Sequence, residues 1–140
     1  MIAYVDSSVL LRFVLDQPGR LTELTRFDQR ITSAITEVEC LRAVDALRLR
    51  GRLTDDEFVT RRSLVFAQVR RMGRLMISGS VLRRAGEPLP VLLRTLDAIH
   101  LATAQMLRER RAPDLVFATH DRQLGRAASA LGFPVIGVSW

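Results

Sequence analysis

Acidic residues stand at the ends of apolar runs in four separate parts of this sequence. Asp6 follows the run Ile2 to Val5 in MIAYVDSS, Glu37 and Glu39 open TEVECLRAVDALR, Asp97 opens TLDAIHLATAQML, and Asp121 is separated from LVFAT only by His120. Asp97 is the most telling of them. From Leu96 to Leu107 its segment carries no other ionisable residue except His100, so it reads as buried nearly all round. A buried carboxylate is costly unless it is paired, hydrogen-bonded or bound to a metal. Carboxylates grouped without cysteine or paired histidines favour a hard cation, Mg²⁺ or Mn²⁺, with waters and substrate phosphates completing an octahedron. Such an ion polarises a phosphoryl oxygen and activates water, and a pair of ions can hold both the attacking and the leaving oxygen. Phosphodiester hydrolysis is the natural reaction of such a site. His100 and His120 are expected to pack or hydrogen-bond rather than to ligate.

Each acid also has a structural role open to it. Asp6 or Asp121 could cap the helix that follows, and Asp97, Glu37 and Glu39 could favour the positive end of a helix dipole. Those roles explain the acids singly but not as a group, because caps are usually exposed and scattered whereas these residues abut apolar segments. Asp55, Asp56 and Glu57 differ: Thr54 and Glu57 have capping-box spacing, which accounts for all three. Asp114, after Ala112 and Pro113, reads as a turn residue. The residues alone do not separate Glu37 from Glu39.

The elements that must position these acids follow from apolar periodicity. The pattern predicts a strand over about 2–5, a helix from Ser8 to Asp16, a turn at Gln17-Pro18-Gly19 and a short helix over 21–27. A strand near 30–33 leads into a helix over about 35–50, and a further helix runs from Thr54 to about Met72. RLMIS reads as a strand, VLRRA as a short helix and Glu87 to Pro90 as a loop. Thr95 to Arg111 is predicted helical, LVFAT a strand, Arg122 to Leu131 a helix and PVIGV a last strand. Short apolar strands alternating with helices predict a three-layer α/β/α domain with a central, mainly parallel sheet. In such sheets the functional crevice lies outside the carboxyl ends of the strands, where Asp6 and Asp121 fall.

At 140 residues the chain is expected to form a single domain, 1–140, and to bury roughly two-thirds of its unfolded surface. A single cysteine, Cys40, excludes an internal disulfide. No long apolar run marks a membrane span or signal segment, which predicts a soluble cytoplasmic protein. All 21 cations are arginines, against 15 acids, for a net charge of +6. That balance suits a polyanion, and guanidinium forks grip phosphate in bidentate fashion; total replacement of lysine is equally what genomic base composition can produce. Aromatic residues make up only 6 %, too few for an extended base-stacking platform, so a nucleic acid would be held by its backbone. Haloacid-dehalogenase phosphatases and receiver domains also place an aspartate after a first strand, but both use a lysine and the former a second Asp where Ser8 stands. The lysine-dependent P-loop is likewise excluded.

YVDSSVLL, SAITEVECLRA, LDAIHLATA and FATHDRQLGRAASALGFPVIGV resemble, in order and spacing, the PIN-domain family, and in particular the VapC-type toxins of bacterial toxin–antitoxin pairs. The resemblance spans nearly the whole chain. It implies metal-binding catalytic acids at Asp6, Glu39, Asp97 and Asp121, the pattern T-x-V-E-x-x-R-A selecting Glu39 over Glu37. It implies that Ser7, Thr36 and Thr119 orient waters or ligands. The activity implied is Mg²⁺-dependent endonucleolytic cleavage of RNA, with Mn²⁺ able to substitute, under control of a VapB-like antitoxin, by a chain that forms a homodimer. Leu53 to Pro90 matches no motif, and substrate choice is expected to reside there. A catalytically silent module that binds RNA or protein is the alternative, and retention of all four acids opposes it.

Overall fold

The strand at the start of the chain has to be apolar on both faces, because helices cover both. In a computed structural model describing residues 1–140, β1 (Ile2–Val5) is the middle of a five-stranded sheet with β2 (Gln29–Ser33), β3 (Gly73–Leu75), β4 (Val116–Ala118) and β5 (Val135–Ile136). The spatial order is β3-β2-β1-β4-β5 and every pairing is parallel. Ala3, Tyr4 and Val5 are each fully buried. Successive side chains of a strand point to opposite faces, so Tyr4 enters one layer while Ala3 and Val5 enter the other.

Tyr4 packs with Leu101, Ala104 and Leu107 of α5 (Thr95–Arg111) and Leu124, Ala127 and Ala128 of α6 (Arg122–Ala130). Ala3 and Val5 pack against Val9 of α1 (Ser7–Val14). Leu10 and Val14 of α1 then meet Cys40 and Val44 of α2 (Ile35–Leu49) and Val65 and Val69 of α3 (Asp55–Arg70), which completes that outer layer. A last helix, α4 (Gly79–Ala85), packs Val81 against Ile99 and Ala102 of α5. The architecture is the expected α/β/α arrangement. No helix is long and apolar enough to cross a membrane.

Most element boundaries follow the periodicity. The capping box forms, Thr54 Oγ1 accepting from Glu57 N at 3.1 Å and Glu57 Oε1 from Thr54 N at 3.0 Å. Three elements differ most from the expectation, while α1 and β4 also end earlier than expected. Residues Thr22–Arg26 form a 3₁₀ helix rather than an α-helix; Thr25 Oγ1 donates to the Thr22 carbonyl at 2.9 Å, a local bond that competes with α-helical pairing. β3 begins at Gly73 and stops at Leu75, and β5 covers only Val135 and Ile136.

Gly137 ends β5 because its φ of +97° is a conformation that side-chain-bearing residues rarely adopt. A Cβ there would lie 2.4 Å from the Thr119 carbonyl oxygen. Gly137→Ala is therefore expected to cost about 1–3 kcal/mol, from backbone strain and displacement of Thr119. Urea denaturation checks this, and a loss well below that range would show that the loop yields freely.

Candidate active site

The strand order reverses direction at β1: one run of strands proceeds outward through β2 and β3, the other through β4 and β5. The carboxyl ends of β1 and β4 thus flank a switch point, the place where open α/β sheets form ligand crevices. Asp6 leaves β1 there, its backbone N–H donating to the Ala118 carbonyl at 3.0 Å. Its side chain is almost fully buried and caps α1, accepting from Ser8 N at 3.3 Å. It also accepts from Ser8 Oγ at 2.5 Å, Thr119 Oγ1 at 2.9 Å and Ser7 Oγ at 3.4 Å. Asp121 caps α6 by accepting from Leu124 N at 2.9 Å, and its own N–H donates to Thr119 Oγ1 at 3.0 Å. Both aspartates therefore cap a helix at this edge of the sheet, and Thr119 bonds to both.

Glu37 and Glu39 are separated by what they face. Glu37 forms an ion pair with Arg74 at 3.2 Å on the outer side of the sheet edge. Glu39, from the second turn of α2, turns inward and accepts from His100 Nε2 at 2.5 Å. The same nitrogen lies 3.5 Å from Asp6 Oδ1, so one imidazole bridges the carboxylates of α2 and β1. His100 is fully buried, and its Nδ1 lies 2.7 Å from the Tyr4 hydroxyl. Asp97 and Asp121 line a neighbouring recess of about 480 Å³ with Arg94, Gln123, Leu92 and Leu93.

The electrostatics join these two halves. Burial, with the charges of Asp121, Asp6 and Glu39, pushes the Asp97 carboxyl from its usual value to about 6, against the opposing influence of His100. For His100, burial disfavours the charge, but the Glu39 hydrogen bond and the carboxylates of Asp6, Glu39 and Asp97 outweigh it and raise the imidazole pKa. Positive charge is thus favoured at the point between Asp6 and Glu39. Four hard oxygen donors that repel one another suit a divalent cation in their chemistry. With His100 seated between Asp6 and Glu39, no three His, Cys, Asp or Glu side chains share a coordination point.

Several expectations are refined by this geometry. Thr119 and Ser7 do hold an acid, whereas Thr36 bonds Thr32 at 2.7 Å, and Thr32 donates to the Val5 carbonyl, so Thr36 braces the sheet instead. His100, expected to pack or hydrogen-bond, does both. Ser8 and Tyr4 also hold the site's polar network, although neither is among the residues expected from the sequence. Ser8 had a signal, two residues past a strand-end aspartate, but the resemblance points to Ser7 instead; Tyr4 reads simply as a core residue. Of the arginines, Arg94 lines the recess, while Arg48, Arg70, Arg83, Arg84 and Arg108 sit in the last turns of helices, where they complement the dipole.

The folded-state pKa of Asp97 lies above its unfolded value, so the native protein holds this proton more tightly. Its contribution to stability is lost as pH rises from near 3.8 to about 6. Asp97→Asn is expected to raise the melting temperature of metal-free protein at pH 7 by roughly 2–4 °C, about 1 kcal/mol once solvent screening is allowed for. Below about pH 4 the gain should vanish. Thermal melts across pH check this, and a destabilised variant at pH 7 would show that Asp97 is a structural partner instead.

The PIN domain family description matches residues 3–130 of the chain. Ribonuclease VapC46 of Mycobacterium tuberculosis is 34 % identical over 145 residues, covering 97 % of each protein. Among solved structures, a toxin–antitoxin complex from Klebsiella pneumoniae aligns with a TM-score of 0.62 at 20 % identity, over 99 % of this chain and 96 % of that one. VapBC2 from Rickettsia felis, bound to a DNA fragment from its promoter, aligns with a TM-score of 0.65 at 14 % identity, over 97 % and 98 % of the respective chains. The switch-point acids, the parallel sheet and these matches have one account: the chain belongs to the PIN-domain family.

Proposed function

We propose that residues 1–140 form one PIN-like domain acting as a VapC-like endoribonuclease toxin, with Asp6, Glu39, Asp97 and Asp121 as catalytic, metal-binding residues. The observation that carries this reading is geometric: the Asp6 and Glu39 carboxylates approach the same nitrogen of His100 at 3.5 Å and 2.5 Å, and Asp97 and Asp121 line one recess. Mg²⁺, or Mn²⁺ in its place, would supply charge neutralisation and an activated water. The chain's own residues do the rest. Thr119 and Ser8 fix the Asp6 carboxylate, the backbone of α6 fixes Asp121, and Arg94 beside the recess is placed to hold an RNA phosphate. The kinship to a protein named as a ribonuclease supports RNA as the substrate.

A partner chain is part of the reading. An apolar recess of about 680 Å³ lies between α4 and the start of α5, lined by Leu82, Leu89, Val91 and Ile99, and it shares Leu92 and Leu93 with the acidic recess. Leu92 is 87 % exposed and Leu82 53 %. A segment with apolar side chains next to a basic one would fill both recesses, and that is the chemistry proposed for a VapB-like antitoxin. The exposed leucines supply apolar surface for a homodimer as well.

Asp97→Asn is nearly isosteric and removes one negative charge, so cleavage of a labelled RNA in Mg²⁺ is expected to fall at least 100-fold, on the order of magnitude seen for lost transition-state charge stabilisation. Millimolar Mn²⁺ should raise the melting temperature of the wild-type protein and leave that of the variant nearly unchanged. A wild-type protein indifferent to Mn²⁺ and inactive on RNA would favour a silent binding module.

The proposed antitoxin places a basic side chain among the acids, displacing the cation. Deleting its carboxy-terminal segment should therefore abolish most of its inhibition, and the toxin's Mn²⁺ affinity should fall in the intact complex. Full inhibition by the truncated antitoxin, with Mn²⁺ binding unchanged, would sink this mechanism without touching the assignment of the acids.

A further inference from the structure

Behind Glu39 lies a chain of buried polar groups that the proposed chemistry does not use. Tyr4 and His100 are both fully inaccessible to solvent, yet their polar atoms are paired: the phenol with imidazole Nδ1 at 2.7 Å, and Nε2 with Glu39 at 2.5 Å. Polar groups so deep in a core are expensive unless every member is satisfied. An apolar pair would fill the same volume, so packing alone does not call for them. The geometry points to Tyr4 and His100 as positioning residues, the phenol fixing the ring of His100 and His100 Nε2–H fixing the Glu39 carboxylate for a divalent cation. This rests on the reading of Glu39 as a cation ligand.

The directions of the hydrogen bonds follow from the partners. A carboxylate oxygen only accepts, so Nε2 must carry a proton whether the imidazole is neutral or charged. Nδ1 then accepts from the phenol in the neutral ring and donates to it in the charged one. A hydroxyl is one of the few groups able to serve both states, and phenylalanine at position 4 would serve neither. The Tyr4 ring itself is fixed independently of its hydroxyl, stacked on Phe117 at 5.3 Å between centroids and 23° between planes. His100 meets it edge-on at 6.0 Å and 71°. The oxygen therefore reaches His100 Nδ1 from an aromatic stack that does not depend on it. Glu39, by contrast, sits on a partly exposed helix face with a long side chain that nothing but His100 holds. Partners that orient ligands in this way typically account for 10–100-fold in metal affinity.

The test uses the full chain and Mn²⁺ alone as probe. Tyr4→Phe removes only the hydroxyl and is expected to fold normally while weakening Mn²⁺ binding about 10-fold, as read by electron paramagnetic resonance. His100→Gln keeps an N–H donor near the position of Nε2 and should lose no more than that. The double variant should be no weaker than His100→Gln alone, because Tyr4 acts through the imidazole. Nitrogen-15 spectra of metal-free wild-type protein should show His100 Nε2 protonated at every pH at which the protein is folded. An unprotonated Nε2 at neutral pH overturns the relay itself. An unchanged Mn²⁺ affinity in folded Tyr4→Phe, or additive losses in the double variant, overturns its positioning role. A wild-type protein that binds no Mn²⁺ overturns the cation reading, and the Nε2 proton then still reports whether the relay exists.

Discussion

Mutual repulsion among carboxylates is the constraint on which this structure turns. Asp6, Glu39, Asp97 and Asp121 come from four distant parts of the chain, and bringing like charges together in a half-buried space costs free energy unless positive charge is supplied. The fold supplies some of it locally. Asp6 and Asp121 cap α1 and α6, and Asp97 lies in the first turn of α5. Each sits at the positive end of a helix dipole. His100 adds a group between Asp6 and Glu39 whose protonation is favoured by its surroundings. Asp97 is partly buried, and burial with the neighbouring carboxylates raises its pKa against the opposing influence of His100.

The same helix ends serve the sheet. A parallel strand must hand its chain to a helix at the carboxyl edge, so every βα turn delivers a helix N-terminus, with unpaired N–H groups, to that edge. Aspartate is the residue that satisfies those donors, and it is also a hard metal ligand. A single residue type can thus close the turn and equip the crevice, so the cap that Asp6 makes is compatible with the chemical role proposed for it. The hydroxyl residues follow the same logic. Thr119 donates to the carboxylate of one cap and accepts from the backbone of the next, locking the β1 and β4 ends together at 2.9 Å and 3.0 Å.

Much of this was legible in the sequence because it depends on local chemistry. Alternating short apolar runs and helices gave the layers, Thr54 and Glu57 the start of α3, and Thr95 to Arg111 the limits of α5. What escaped depends on which way a side chain turns. Glu37 and Glu39 are two positions apart on one helix, about 200° around its axis, so periodicity leaves the choice open; the family pattern points to Glu39, and tertiary packing turns it to His100 while Glu37 meets Arg74. Tyr4 reads as one more apolar strand residue, since the partner that gives its hydroxyl a purpose is 96 positions away. The ends of β3 and β5 were overrun because an apolar run persists where pairing has stopped.

The arginines divide in the same physical terms. A net charge of +6 suggests nucleic acid, yet several guanidinium groups stand in the last turns of α2 to α5, where carbonyl dipoles favour them whatever the protein binds. A polyanion drawn by the overall charge would still meet a repulsive crevice, with Arg94 as the cation beside the acids. On the proposed reading, neutralising the carboxylates favours seating a phosphate, and a divalent ion and an RNA backbone would be coupled ligands of this site: the ion offsets the acids that repel the phosphate, and the phosphate adds negative charge that draws the ion.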